Sequence, residues 1–297
     1  MKSFLQRTVT GLILVAAIMA GILFGPYSFV GVFAILVFGT LYEFYNLINV
    51  SREVHITKIL HSFAGAVLFI CAWFEASHLT THWIYLFYLA YMMVMFISRL
   101  YTKQENPIRE LAYIILGQVY IAAPLALVNQ IAFHTLKYPL GEILKDYCPI
   151  FVLSLFLFIW VNDTGAFITG CTLGRHGRHR LFPSVSPKKS WEGFWGGLVF
   201  CMLLGLGLYY PQFWSFIGVD IHDGVRLTRL DWMGMALTVS IFATFGDLIE
   251  SFVKRAVGVK DSGSILPGHG GIWDRFDSLI MAAPAMYIYL VMLTIFS

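Results

Sequence analysis

Charged residues are scarce in this sequence of 297 residues: they make up 12%, whereas hydrophobic residues make up 58% and aromatic residues 16%. The mean hydropathy is +0.74, and the apolar runs are longer than the core of a soluble protein requires. The net charge of +3 is too small to indicate nucleic-acid binding. The four cysteines lack the CxxC or CxxH spacing of a zinc or redox site, so we interpret them as small apolar residues. The scarcity of charged residues and the long apolar runs indicate a polytopic membrane protein.

Hydrophobic segments of about 20 residues, the length that crosses a bilayer, recur along the whole chain. We predict an all-α membrane helical bundle with about nine transmembrane helices. The predicted spans lie near residues 8–25, 28–48, 59–76, 83–99, 111–133, 149–172, 191–210, 232–256 and 278–296. There is no internal repeat or long linker, so we expect a single integral membrane domain over residues 1–297.

The basic residues predict the orientation of this bundle. With nine spans, 16 of the 20 Lys and Arg residues fall on the side that carries the N-terminus. The positive-inside rule places that side, and residues 251–277 with it, in the cytoplasm. In the first five spans, Glu43, His61 and Glu75 lie near span ends, and we interpret them as side chains that reach the membrane interface.

Asp163 lies within the sixth predicted span, in the apolar frame LFLFIWVNDTGAFITG. A carboxylate at this depth must face the bundle interior or a wet cavity. It could serve as a hydrogen-bonding contact between helices or as part of a functional site.

The loop after the sixth span is cationic. Ser186 and Pro187 resemble a helix start, with Pro at the first helical position. The residues that would then lie at the helix N-terminus are Lys188, Lys189, Ser190 and Glu192. A helix N-terminus favours phosphate, so we predict phosphate contact here; attraction to anionic lipid headgroups or a topology signal stays open.

The eighth span ends in a polar stripe. Asp247, Glu250, Ser251 and Lys254 are spaced i, i+3, i+4 and i+7, so they share one face of a helix. A structural salt-bridge ladder would explain two acids and a base on one stripe. The stripe runs directly into a second charged segment, however, which favours a functional site.

This second segment combines glycines with acids. The glycines are Gly258, Gly263, Gly268, Gly270 and Gly271; they allow backbone amides to turn toward an anion. Asp274 and Asp277 follow where the ninth helix should begin, and we expect Asp274 to lie against Asp247. Converging carboxylates require a cation, and oxygen ligands select Mg²⁺ or another hard ion. These residues predict a membrane-embedded, metal-dependent enzyme acting on a nucleotide or phosphorylated lipid, with an ion-coupled transporter as the alternative.

Residues 251–277 resemble the C-terminal signature of the phosphatidate cytidylyltransferase (CDP-diacylglycerol synthase) family. The matching positions are Ser251, Lys254, Arg255, Lys260, Asp261, Leu266, Pro267, His269, Gly270, Gly271, Asp274, Arg275 and Asp277. The family also shares an Asp-Thr-Gly-Ala-like span and a Ser-x-Lys-Lys-Ser-x-Glu-Gly loop, which are seen here at residues 163–166 and 186–193. The resemblance makes residues 149–297 the expected catalytic half, whereas the spans in residues 1–148 are compatible but unspecific.

The resemblance implies that CTP and phosphatidate react to give CDP-diacylglycerol and diphosphate. It implies Asp247 and Asp274 as ligands of Mg²⁺, with Asp277 and Glu250 beside them, and leaves a second cation open. The residues expected to hold the triphosphate and the phosphatidate headgroup are Lys254, Arg255, Lys260 and Arg275. His269 would either orient a phosphate, donate a proton to diphosphate, or hydrogen-bond within the loop.

The remaining expected substrate-binding residues are Asp163, Lys188, Lys189, Ser190, Glu192, Ser251, Asp261, Gly270 and Gly271. The expected partners are CTP and phosphatidate within the bilayer, with a homodimer left open. The compact chain suits a bacterial inner membrane, with the active site facing the cytoplasm. A cytidylyltransferase for another lipid phosphate stays open as a second reading.

Overall fold

A computed structural model describes residues 2–50, 54–101, 106–134, 147–174, 179–217, 219, 227–263, 265–266 and 270–296. The helices are α1 (Lys2–Leu23), α2 (Pro26–Val50), α3 (Lys58–Ala76), α4 (Tyr85–Arg99), α5 (Pro107–Gly117), α6 (Ala123–Ala132), α7 (Pro149–Thr172), α8 (Trp191–Leu208), α9 (Pro211–Phe216), α10 (Arg229–Val257) and α11 (Trp273–Phe296). A short 3₁₀ turn, His82–Ile84, precedes α4, and a π-helical turn, Gln118–Ala122, joins α5 to α6.

Seven helical segments in the described part of the chain are long and apolar enough to cross a membrane. They are Pro26–Val50, Lys58–Ala76, Pro107–Ala132, Pro149–Thr172, Trp191–Leu208, Arg229–Val257 and Trp273–Phe296. The all-α membrane fold is therefore confirmed, whereas the predicted count of nine is not. The apolar part of α1, Thr8–Leu23, and the 15-residue α4 are both shorter than the roughly 20 residues that a span needs.

The chain forms two compact units. The described residues of the N-terminal unit fall within the ranges Met1–Phe133, Gly141–Tyr147 and Lys254–Phe276. The second unit draws on His134–Leu140, Cys148–Val253 and Asp277–Ser297. The expected single membrane domain over residues 1–297 stays a prediction.

The core of the N-terminal unit contains polar side chains that the sequence placed at the membrane interface. Glu43 and His61 are only 2% and 1% exposed, so the interface interpretation is wrong for both. His61 Nδ1 lies 2.7 Å from the Tyr91 hydroxyl. Gln118, in the π-helical turn, donates to the carbonyl of His61 at 2.8 Å and to the Tyr45 hydroxyl at 2.9 Å. These helices bury polar groups because each finds a partner inside the unit.

In the second unit, α7 and α8 approach closely because small residues face each other. A Cβ at Gly165 would lie 3.2 Å from the Cα of Gly197, and one at Gly197 would lie 2.6 Å from Asn162 Oδ1. Small residues at such crossings are the usual means by which membrane helices bring their backbones together. This packing fixes the face of α7 that bears residues 162–166.

A two-stranded antiparallel hairpin precedes α8. Its strands are β1 (Arg180–Phe182) and β2 (Ser186–Ser190). Helix α8 begins at Trp191, and Ser190 is its N-cap, since the Ser190 hydroxyl accepts a hydrogen bond from the Gly193 amide at 3.2 Å. Serine is among the residues preferred at this position.

The prediction that Ser186 and Pro187 start the helix is therefore wrong. Both residues lie in β2, where a proline is tolerated at the edge of a two-stranded sheet. Lys188 and Lys189 also lie in β2 rather than in the first helical turn. Glu192 does lie in that turn, where it accepts from or pairs with His179 at 2.8 Å.

Candidate active site

Three carboxylates of the second unit converge. Asp247 and Glu250, three residues apart on α10, meet Asp277 on α11, and one oxygen from each lies within 4.8 Å of the others. We call these three residues the acidic cluster. Glu250 is 1% exposed, so water screens its charge poorly. Carboxylates held this close repel one another unless a cation or a proton lies between them.

Gly246 allows α10 and α11 to come together at this point. A Cβ at Gly246 would lie 2.5 Å from the carbonyl oxygen of Asp277 and 2.9 Å from the Cα of Ser278. Any side chain here would therefore push against the backbone of α11. The approach of the acids depends on this glycine, which directly precedes Asp247.

The acidic cluster has a basic neighbour from β2. Lys189 Nζ lies 2.8 Å from Asp247 Oδ2, and both side chains are partly exposed, at 26% and 37%. Ser251 donates to Asp247 Oδ1 at 3.4 Å. Asp163 is exposed and interacts electrostatically with Asp247 and Lys189. Three residues predicted to bind substrate thus lie beside three predicted as metal ligands.

Asn162, rather than Asp163, makes the hydrogen bonds between helices. The Ser240 hydroxyl donates to Asn162 Oδ1 at 2.6 Å, and Asn162 Nδ2 donates to the Thr244 hydroxyl at 3.4 Å. Both partners lie on α10, two and one turns before the acidic cluster. Asn162 therefore joins α7 to α10, and both readings of Asp163, as a contact between helices or as part of a site, stay predictions.

We expect the substitution Asn162→Ala to lower the free energy of unfolding by about 1–2 kcal/mol, because it removes two hydrogen bonds between membrane helices. Thermal denaturation in detergent would measure this loss. Thr172→Ala is the matched control, since the exposed Thr172 hydroxyl bonds only within its own helix, to the carbonyls of Ile168 and Thr169. Equal melting temperatures for the two variants would contradict the proposed role of Asn162.

In the N-terminal unit, Asp274 is held by two partners. Lys254 Nζ lies 3.0 Å from Asp274 Oδ1, and the Gly271 amide donates to Asp274 Oδ2 at 3.1 Å. The side chains of Lys254 and Asp274 are only 12% and 15% exposed. The predicted sharing of one ion by Asp247 and Asp274 joins residues of the two units and stays a prediction.

The other charged residues of the signature lie at the surface of the described chain. They are Arg255, Lys260, Asp261 and Arg275, and Lys188 of β2 is exposed as well. Gly258 and Gly270 have positive φ values of 80° and 84°, which supports the interpretation of a loop that only glycine could form. His269 lies outside the described residues. Phosphate binding by these groups stays a prediction.

Glu43 contacts the signature segment, residues 251–277, although sequence reasoning gave it no part in the site. Its Oε2 atom accepts hydrogen bonds from the Trp273 amide at 2.9 Å and from the Ser262 hydroxyl at 3.3 Å. The one signal in the sequence was an acid in an otherwise apolar helix, which is costly unless it has a partner. Its partners Ser262 and Trp273 lie 219 and 230 residues further along the chain.

A sequence model of the family described as "Cytidylyltransferase family" matches residues 5–293. The chain belongs to the cytidylyltransferase family. The match includes every residue of the acidic cluster as well as Lys189 and the signature segment. The family resemblance seen in the sequence is confirmed.

Three similar proteins are named phosphatidate cytidylyltransferase. The one from Staphylococcus epidermidis is 43% identical over 141 residues, and those from Staphylococcus aureus and Staphylococcus haemolyticus are each 42% identical over 141 residues. Each alignment covers 48% of this chain and 49% of the relative. The chain therefore matches these curated relatives over about half of their length.

Proposed function

We propose that this chain is a phosphatidate cytidylyltransferase, which joins CTP and phosphatidate to give CDP-diacylglycerol and diphosphate. The observation that carries the proposal is the acidic cluster with Lys189 beside it, built from the helices that bear the family signature. Membership of the cytidylyltransferase family and the names of the staphylococcal relatives support the same reaction.

The donor set of the acidic cluster fits a hard divalent cation. It offers carboxylate oxygens alone, with no nitrogen or sulfur ligand among its members, and such sets favour Mg²⁺ over softer metals. We propose that Asp247, Glu250 and Asp277 hold Mg²⁺. When bound, the ion would neutralise phosphate charge and favour departure of the diphosphate.

The reaction requires the protein mainly to orient the two substrates and to neutralise their negative charges. An oxygen of the phosphatidate phosphate forms a bond to the α-phosphorus of CTP, while the bond from that phosphorus to the bridging oxygen of the β-phosphate breaks. The nucleophile is already anionic, so no strong general base is needed. Most of the rate must come from orientation and from neutralised repulsion between two anionic substrates.

The basic residues supply that neutralisation in the proposal. Lys189 would exchange part of its contact with Asp247 for a substrate phosphate, as a compact point charge can do. Arg255 and Arg275 would bind phosphate oxygens in pairs, and Lys254 and Lys260 singly. His269 would orient a phosphate or protonate the departing diphosphate.

A membrane setting suits two substrates of opposite solubility. The acyl chains of phosphatidate stay in the bilayer while its headgroup meets CTP from water. We propose that the site faces the cytoplasm of a bacterial cell, as the basic loops predict.

The proposed reaction can be tested with purified protein in detergent, phosphatidate, Mg²⁺ and CTP labelled at the α-phosphate. We expect the label to pass into a lipid-soluble product with release of diphosphate. No labelled lipid would refute the proposal. Competition between phosphatidate and other lipid phosphates would reveal a different lipid substrate. Cation-driven uptake in proteoliposomes without CTP turnover would favour the transporter alternative.

Removing divalent cations should abolish this activity. We expect chelation to lower the rate by at least about 100-fold, since a bound metal commonly stabilises transition-state charge by several kcal/mol. Re-added Mg²⁺ should restore the rate, whereas Na⁺ at equal ionic strength should not. Full activity after chelation would contradict the proposed role of the acidic cluster.

A further inference from the structure

Glu43 is an ionisable residue buried in α2, outside every motif that the family resemblance uses. It is 2% exposed, and the helix around it is otherwise apolar or weakly polar. A buried carboxylate is costly unless hydrogen bonds compensate for lost water. The Glu43 carboxylate accepts hydrogen bonds from the Trp273 amide and the Ser262 hydroxyl, and both donors belong to the signature segment.

Two glycines of the signature segment lie directly against the Glu43 carboxylate. A Cβ at Gly263 would lie 2.7 Å from Glu43 Oε1, and one at Gly271 would lie 2.3 Å from Glu43 Oε2. Neither position has room for a side chain while Glu43 stays in place. The backbone of the segment is thus shaped to the carboxylate from both sides.

Neighbouring residues of α2 hold the same part of the segment. A Cβ at Gly39, one helical turn before Glu43, would lie 2.7 Å from Ile272 Cδ1. The Phe44 and Trp273 rings form an edge-to-face pair with centroids 5.3 Å apart. Trp273 itself is fully buried, so this contact is part of the core of the N-terminal unit.

The hydrogen bond to Trp273 falls at the first residue of α11. The first amides of a helix have no partner within the helix, and a negative charge there also interacts favourably with the helix dipole. Glu43 therefore acts as an anchor from outside the helix. The next residues along α11 are Asp274 and Arg275, which the signature assigns to the site.

We propose that Glu43 is a positioning residue for the cytidylyltransferase reaction: its carboxylate holds Ser262 and Trp273 and so sets the start of α11, without contacting substrate. The reaction itself rests on the proposed function, but the anchoring of the segment does not.

The test compares four variants with the wild-type chain in detergent. Glu43→Ala removes both hydrogen bonds. Glu43→Gln keeps an oxygen that can accept both, and Ser262→Ala removes one of them with little change in volume. Glu75→Gln is the matched control, because Glu75 lies in α3 of the same unit and accepts from Gln130 at 2.7 Å. The two readouts are hydrogen–deuterium exchange of residues 270–273 without substrate, and kcat and KM for CTP.

In Glu43→Ala, we expect exchange of these amides to speed up at least about tenfold and kcat/KM to fall by about 10- to 100-fold, since small misplacements of reacting groups have effects of this size. Glu43→Gln should stay within about threefold of wild type by both readouts, with Ser262→Ala intermediate and Glu75→Gln unchanged.

Three outcomes would overturn the inference. One is unchanged exchange in Glu43→Ala. A second is faster exchange with unaltered kinetics. A third is a Gln variant as impaired as the Ala variant, which would mean that the two hydrogen bonds do not account for the role of Glu43. If Glu43→Ala does not fold, Ser262→Ala and Glu43→Gln decide the question. If the wild-type chain were inactive but the variants showed the expected differences in hydrogen–deuterium exchange, the proposed function would be refuted. The structural role of Glu43 in holding the segment would still be supported.

Discussion

Replacing Asp277 with Asn should reduce cytidylyl transfer by at least about a thousandfold while leaving the folded protein as stable as before, or more stable, when no divalent cation is present. Asp277 lies with Asp247 and Glu250 in the acidic cluster, and its repulsion from Asp247 and Asp163 is removed with its charge. Asn keeps the size of the side chain and an oxygen that can accept the Ser278 amide, which lies 2.6 Å from Asp277 Oδ1. Activity and stability should thus move in opposite directions.

Melting temperatures measured with and without Mg²⁺ distinguish the loss of a metal ligand from a general destabilisation of the fold. An ion that binds the folded wild-type chain raises its melting temperature by mass action, and Asp277→Asn should lose that rise. Glu75→Gln, which alters an acid outside the cluster, should keep it. A variant that melts well below wild type in the absence of Mg²⁺ would show that Asp277 is structural. A variant that retains transfer would remove it from the proposed site.

The positions of the helices could be read from the sequence because hydrophobic length is set by the bilayer. The seven spans confirmed by length and composition coincide with predicted segments. Within them, the convergence of Asp247 and Glu250 followed from helical spacing alone. The place of Asp277 beside them was expected only from the family resemblance, whereas the geometric expectation placed Asp274 against Asp247. The spacing of Asp247 and Glu250 could be predicted because it depends on the local geometry of one helix.

Contacts between distant residues could not be predicted in the same way. Glu43 and the hairpin before α8 depend on packing partners that no periodicity encodes. The hairpin residues carry a serine and a proline in an order that also suits a helix start. The pairing of β2 with β1 and the cap bond from Gly193 to Ser190 decide between the two structures. Asp274 illustrates the same limit. Its contact with Lys254 joins residues 20 positions apart, and the sequence alone equally well suits Asp274 as a metal ligand and Lys254 as a phosphate contact.

The second large effect is expected at Gly246, where the absence of a side chain lets α10 and α11 approach each other. Gly246→Ala places a Cβ 2.5 Å from the Asp277 carbonyl, a backbone atom that can move only if α11 moves. Overpacking of this kind costs about 1–3 kcal/mol of stability, and displacement by even about 1 Å can lower a reaction rate about 100-fold. We therefore expect transfer to fall by about 100-fold at temperatures where the variant is fully folded, with weaker stabilisation by Mg²⁺.

Gly207→Ala provides the control, since a Cβ at Gly207 of α8 would meet nothing within 4 Å and alanine is the better helix former by about 1 kcal/mol. It should keep full activity and melt at the wild-type temperature or above it. The contrast between the two glycines tests whether the closeness of α10 and α11, rather than the mere presence of three acids, makes the site work. If Gly246→Ala transferred cytidylyl groups as fast as Gly207→Ala, the helices would have to tolerate separation, and the acidic cluster would not need the spacing that the structure gives it.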